Sequence, residues 1–120
     1  MKITNFLYGV VAAIALLSGT ADAISGVATY YSQQDAAGSC GVYHHDNEYI
    51  VALGYGWGHN SYCGRRVNIR NPKNGRFIQA VVADTCPGCE KTKLDVSEGL
   101  YVALVGELGL DPFAIDWNFA

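Results

Sequence analysis

The chain has 120 residues, a formal net charge of −3 and charged side chains at only 16% of its positions. Those charges are dispersed, with no basic run for a polyanion to bind, so nucleic acid and anionic membrane surfaces are excluded as electrostatic partners. Half of the residues are hydrophobic and four are cysteines, which suits one small core stapled by disulfides.

The N-terminal segment reads as a targeting sequence. Lys2 supplies a positive start, Phe6 to Leu17 is an apolar run interrupted only by Gly9, and Ala21-Asp22-Ala23 has the small-x-small pattern of a cleavage site. Residues 1–23 are therefore expected to be a secretory signal peptide, with flanks and length wrong for a membrane anchor. The mature domain, 24–120, is expected to be secreted, extracellular and monomeric, with no membrane contact after signal removal. Cys40, Cys63, Cys86 and Cys89 all fall in it, an even number as export predicts. Four cysteines allow three pairings, and the sequence leaves that choice open. There is no Asn-x-Ser/Thr sequon.

The mature region is rich in Gly, Val, Tyr and Thr, which favours β structure. Gly26 to Tyr31 reads as a first strand and Ser32 to Gly41 as a loop. Tyr49 to Leu53 is a compact apolar run expected to be a buried strand. Gly54 to Tyr62 is too glycine-rich for regular structure and reads as an aromatic-bearing loop.

Arg66 to Arg70 alternates outward Arg66, Asn68 and Arg70 with inward Val67 and Ile69. Asn71 to Gly75 is a turn, and Asn74-Gly75 predicts a hairpin because both residues tolerate positive φ. Phe77 to Ala83 is the return strand. Ser97 is placed to cap a helix running to about Leu108, with Leu100, Ala103, Leu104 and Leu108 on one face and Gly109 ending it. Phe113 to Phe119 is a last strand with Phe113, Ile115, Trp117 and Phe119 on one side. Five or six strands, one helix and long loops make a small β-barrel the expected fold.

The chemistry concentrates between two acids. Asp84 ends one strand and Asp95 lies eleven positions on. Carboxylates at the ends of adjoining elements can share a cleft suited to sugar hydrogen bonding or acid–base work. The bland alternative is a pair of structural carboxylates bonding loop amides or a helix start. Asp95 stands between Leu94 and Val96, so burial is expected to raise its pKa and fit it as a general acid if the chain is an enzyme.

Cys86-Pro87-Gly88-Cys89 has the spacing of a redox dithiol. Lacking a parallel βαβ context in an exported chain, it reads instead as a structural disulfide, with oxidoreductase activity as the rival. His44, His45 and His59 lack His-x-His or His-x-x-x-His spacing, so no metal site is expected. Tyr55 and Trp57, flanked by glycines, read as stacking platforms for sugar rings or a partner protein rather than core. No Gly-x-Ser-x-Gly, Walker-type loop or His-Glu-x-x-His occurs, and no cofactor is implied.

GVATYY, GSCG, YIVAL, CGRRVNIRNP, the DTCPGC loop, LDVS and a terminal IDWNF, in that order, resemble the double-psi β-barrel proteins of the rare lipoprotein A-like, barwin-like and expansin-like group. Single-domain fungal loosenins are the nearest likeness. The resemblance implies a mostly β, closed six-stranded barrel with one or two short helices. It implies a polysaccharide groove at Thr29, Asp84 and Asp95; Tyr31 of the first-strand motif and the stacking candidates Tyr55 and Trp57 are expected to add to it. It also implies pairing of Cys40 with Cys63, leaving Cys86 with Cys89.

Two features depart from the group's pattern. Cys86 replaces a tyrosine that often follows the first Asp, and Ser32 and Gln33 stand where related hydrolases carry a catalytic base. Asp35 lies nearby in the loop. Without that base, inverting hydrolysis loses its water activator. The expected function is therefore non-hydrolytic binding or loosening of a cell-wall polysaccharide, cellulose, chitin or a related glycan. The alternatives are a secreted protein-binding module, such as a cysteine-protease inhibitor or effector, and a lytic-transglycosylase-like enzyme using Asp95.

Overall fold

A computed structural model describes residues 23–32 and 37–120. The expected signal peptide, apart from Ala23, and the Gln33 and Asp35 positions lie outside the described residues. Six strands form the domain: β1 (Ile24–Tyr31), β2 (Ile50–Gly54), β3 (Arg66–Arg70), β4 (Phe77–Cys86), β5 (Leu94–Ser97) and β6 (Phe113–Phe119). One helix, α1 (Glu98–Val105), lies between β5 and β6, and a 3-10 turn covers Tyr55–Trp57.

The strands close into a barrel in the order β1-β5-β2-β4-β3-β6. β1 runs parallel to β5 and β2 parallel to β4, while the other four neighbours are antiparallel. A parallel neighbour cannot follow through a tight hairpin. The connections after β1 and β2 join strands that are not neighbours in the barrel, so they too are long; these are the loops that carry Cys40 and Cys63.

Alternation decides which face each strand buries. Val67 and Ile69 on β3, Leu94 and Val96 on β5, and Ile115 and Trp117 on β6 fill the interior. Leu100, Tyr101 and Leu104 of α1 join the same cluster. Trp117, the largest buried side chain, satisfies its indole N–H by donating to the Thr92 carbonyl at 2.9 Å. The Tyr101 hydroxyl is buried with no hydrogen-bond partner among the described residues.

Several sequence expectations are corrected. The LDVS segment, read only as the approach to a helix, is a strand, because Leu94 and Val96 point inward between β1 and β2. β4 continues past Ala83 to Cys86, which places Asp84 within a strand. α1 stops at Val105 instead of Leu108, since Gly106 at φ 109° ends it rather than Gly109. Leu108 consequently lies outside the helix and is 40% exposed. Ser97 precedes α1 but makes no capping bond; its hydroxyl donates to the Glu48 carbonyl and accepts from the Ile50 N–H.

The β3–β4 hairpin forms as expected, though its connection is longer than a two-residue turn, and of Asn74 and Gly75 only Gly75 has positive φ. The asparagines serve the helix instead. Asn71, fully buried, donates its amide to the Leu104 carbonyl at 2.8 Å, Asn74 reaches the same oxygen at 3.2 Å, and Arg76 donates to the Ala103 carbonyl at 2.8 Å. The turn thereby satisfies carbonyls that the last turn of α1 leaves without partners.

Candidate functional site

The barrel ladders set four residues in one row. Thr29 on β1 pairs with Asp95 on β5, Asp95 pairs with Ala52 on β2, and Ala52 pairs with Asp84 on β4. Laterally paired residues project from the same face of a sheet. Their strand neighbours Ala28, Leu94, Val51 and Leu53 belong to the core, so the row faces outward. Two strand spacings separate the Asp84 and Asp95 backbones, about 10 Å. The short Ala52 methyl between them forms the floor of a trough.

A ladder irregularity makes this alignment. Between Val51 and Ala52 the pairing with β4 jumps from Val82 to Asp84, passing over Ala83. Such a bulge re-aims the side chain that follows it. Here it puts a carboxylate in the row where uninterrupted pairing would put Ala83.

The two acids sit in different environments. Asp95 accepts the Thr29 hydroxyl hydrogen at 2.9 Å. Burial pushes its carboxyl above the ordinary aspartate value; the Thr29 bond and the Lys93 charge oppose that rise, and the charges of Asp84 and Asp111 add to it. Asp84 has one oxygen fixed by two backbone donors, the Ser39 and Thr85 N–H groups, each at 2.8 Å. Its other oxygen faces the Tyr31 hydroxyl at 3.4 Å. Burial, then the neighbouring Asp84 and Asp95 charges, hold Tyr31 well above the usual phenol range, so it stays a donor.

Residues that sequence reasoning missed hold Asp84 in place. A Cβ at Gly38 would stand 2.5 Å from the Ala83 carbonyl oxygen and 3.0 Å from an Asp84 carboxylate oxygen, so only glycine lets this loop lie so close. The Cys40–Cys63 disulfide ties the same loop to the segment before β3. Asn60, at φ 59°, exchanges bonds with Ser39 and Thr85, the two residues whose N–H groups grip Asp84. Its sequence signal is faint: an Asn in a glycine-rich loop tolerates the left-handed region.

Trp57 keeps part of its surface exposed. It is partly buried against the core, donates its indole N–H to the Lys91 carbonyl at 2.7 Å, and packs edge-on to Trp117 and Phe119. The Lys91 ammonium lies 4.4 Å from its ring centroid. Tyr55 is 52% exposed with its ring edge against His59. The second disulfide joins Cys86 to Cys89, and both sulfurs lie within 4.8 Å of an Asp95 carboxylate oxygen. That loop therefore borders the trough beside Asp95.

A closed six-stranded mixed barrel, two disulfides and an outward Thr–Asp–Ala–Asp row define a small double-psi barrel protein. The chain is 30% identical over 104 residues to the papain inhibitor of Streptomyces mobaraensis, matching 76% of this chain and 72% of that protein. It belongs to the expansin/EG45-like double-psi β-barrel family. Among solved structures, an expansin of Clavibacter michiganensis, a point mutant in complex with cellohexaose, superposes with a TM-score of 0.72 at 27% identity, covering 82% of this chain and 50% of that one. A Streptomyces papain inhibitor superposes with a TM-score of 0.68 at 28% identity, covering 82% of this chain and 94% of the inhibitor. The chain spans about half the length of two curated relatives, ripening-related proteins of Oryza sativa subsp. japonica (51%) and Vitis vinifera (41%). No family model matches it.

Proposed function

We propose that this chain is an exported, expansin-like protein that binds cell-wall polysaccharide along the Thr29–Asp95–Ala52–Asp84 row and loosens contacts between glycan chains without cleaving them. Residues 1–23 are its export signal and 24–120 its working domain. The observation that carries the reading is the row itself: two carboxylates and a hydroxyl aligned over a floor kept low by Ala52. A glycan chain offers hydroxyl donors at repeating intervals, and carboxylate oxygens spaced along one line accept them. The two acids have different parts. Asp84, gripped by backbone N–H groups, is a fixed acceptor. Asp95, with its pKa raised by burial, changes between acceptor and donor more readily than an exposed aspartate. Ser32 stands where related hydrolases place a base, and its hydroxyl bonds to Asp46 at 3.2 Å, which favours binding over hydrolysis. The cellohexaose complex of the Clavibacter expansin supports a β-linked glucan among the ligands.

A second reading is favoured by the match to papain inhibitors at 30% sequence identity and over 94% of a solved inhibitor chain. In that case the loops act on a cysteine protease and the row is incidental.

Depletion binding to washed cellulose, chitin and peptidoglycan, wild type beside Asp95→Asn, tests the first reading, with supernatants assayed for released sugar and protein assayed against papain. Binding weakened by Asp95→Asn without released sugar supports it. Soluble products would make the chain an enzyme with Asp95 as its acid. Papain inhibition unaffected by Asp95→Asn, with no glycan bound, would replace it by the second reading.

A further inference from the structure

The Cys86–Cys89 pair and Asp95 have more chemistry available than a bridge and a groove acid. A sulfur of each cysteine and a carboxylate oxygen of Asp95 all lie within 4.8 Å of one another. In the disulfide the sulfurs have no thiolate to offer a metal. In the dithiol they would present two soft ligands and one hard one around a common point, and C-x-x-C is the spacing that tetrahedral thiolate zinc sites use.

The frame around these ligands does not depend on the S–S bond. Cys86 is held in the β4 ladder opposite Gly54 of β2. The Cys89 N–H donates to the Cys86 carbonyl at 3.1 Å, closing the loop by a backbone bond. A Cβ at Gly54 would meet the Cys89 and Glu90 carbonyl oxygens at 2.6 and 2.7 Å, so this loop lies flat against β2. Asp95 is fixed from both sides, by β1 and by β2. The cysteine Cα atoms are 5.4 Å apart, and only side-chain rotation is needed to open the sulfurs around an ion. Cys86 is partly exposed and the intervening Pro87 and Gly88 are exposed, which gives reductant and metal a path.

We infer that the Cys86–Cys89 disulfide masks a Cys2Asp site for a thiophilic divalent cation, zinc by ligand chemistry, which opens when that disulfide alone is reduced. With a phosphine as reductant, the phosphorus is oxidised to phosphine oxide by taking the oxygen of one water. The S–S bond breaks and that water's two hydrogens become the Cys86 and Cys89 thiol hydrogens. Zinc then displaces those two protons, binding two thiolates and the Asp95 carboxylate, with water completing the tetrahedron. The Cys86–Cys89 pair is the one to open first. It closes a loop of three residues against 23 for Cys40–Cys63, so it contributes less to the fold and by linkage the fold protects it less from reduction. Only one consequence rests on the glycan reading: a loaded site takes Asp95 out of the trough and is an off state for glycan binding.

The test uses the full mature chain, reduced anaerobically until two thiols per chain are free, located by alkylation and mass spectrometry, with the phosphine then removed. Zinc is titrated against a chromophoric chelator, cadmium alone is followed by its thiolate-to-metal ultraviolet absorption, and circular dichroism follows the fold. The expected result is that the free thiols are Cys86 and Cys89 and that one zinc binds per folded reduced chain, with two protons released and none bound by the oxidised chain. Cys86→Ser with Cys89→Ser abolishes binding, and Asp95→Asn weakens it at least tenfold. First reduction at Cys40–Cys63, unfolding in the two-thiol state, no bound zinc, or zinc affinity unchanged in Asp95→Asn would each overturn the inference. None of these readouts involves glycan, so failure here leaves the polysaccharide reading standing, and the reverse holds.

Discussion

Asp84 and Asp95 stand on opposite sides of one β2 position, Ala52, because the ladder between β2 and β4 passes over Ala83. Without that jump Ala83 would take the place opposite Ala52, and Asp84 would fall opposite Leu53 of β2, a core position. A single irregular pairing thus decides whether two acids eleven positions apart in sequence share one row.

Asp95 holds its place in the row at a cost to the fold. Its folded pKa is raised above the ordinary value of 3.8, with burial the largest cause. A raised acid pKa means the contribution to stability is full below the unfolded value and is lost as pH rises through the folded value. Asp95→Asn, which keeps an acceptor for Thr29, is therefore expected to melt above wild type near neutral pH and to converge with it below the ordinary aspartate value. Thermal melts of both proteins across that range check this; a variant less stable at pH 7 would contradict it.

The two disulfides are expected to contribute unequally. By loop-closure entropy a bridge spanning 23 residues is worth about 3.5 kcal/mol and one spanning three about 2 kcal/mol. Urea unfolding of Cys40→Ala/Cys63→Ala should show the larger loss, together with looser hold on Asp84 through the Gly38–Cys40 loop. An equal or reversed order would mean that the short bridge carries strain-bearing contacts of its own.

Tyr101 offers a substitution that helps. Its ring is fully buried and packs 4.7 Å from Tyr30 between centroids, while its hydroxyl has no partner among the described residues. An unpaired buried hydroxyl carries a desolvation cost that phenylalanine lacks. Tyr101→Phe should therefore be neutral or stabilising by about 1 kcal/mol. A loss of more than about that amount in denaturant unfolding would show a hidden partner for the hydroxyl.

What was legible in the sequence follows from how local each signal is. The β3–β4 hairpin, the β6 alternation and the buried β2 run are written in residues within a few positions of each other, and all three appear. β5 was missed because four residues carry no period of their own; Leu94 and Val96 become strand only between β1 and β2. Ser97 looked like a cap because its type and place fit, yet Glu48 and Ile50 claim its hydroxyl. Asp84 and Asp95 stood out as chemistry. Ala52, Gly38 and Asn60 did not, since a floor, a close approach and a clamp exist only once the strands are paired. The packing of one side of Trp57 was not legible, because the aromatic cluster that receives it comes from β6.

If glycan binds anywhere on this barrel, the proposed line is the Thr29–Asp95–Ala52–Asp84 row. Titrating the 15N-labelled mature chain with cellohexaose and with a chitin hexamer, and following every backbone amide, tests it most directly. The largest shifts are expected on Thr29, Tyr31, Ala52, Asp84 and Asp95, and they should shrink in Asp95→Asn. Shifts confined to the loops away from that row, or none at saturating sugar, would contradict it.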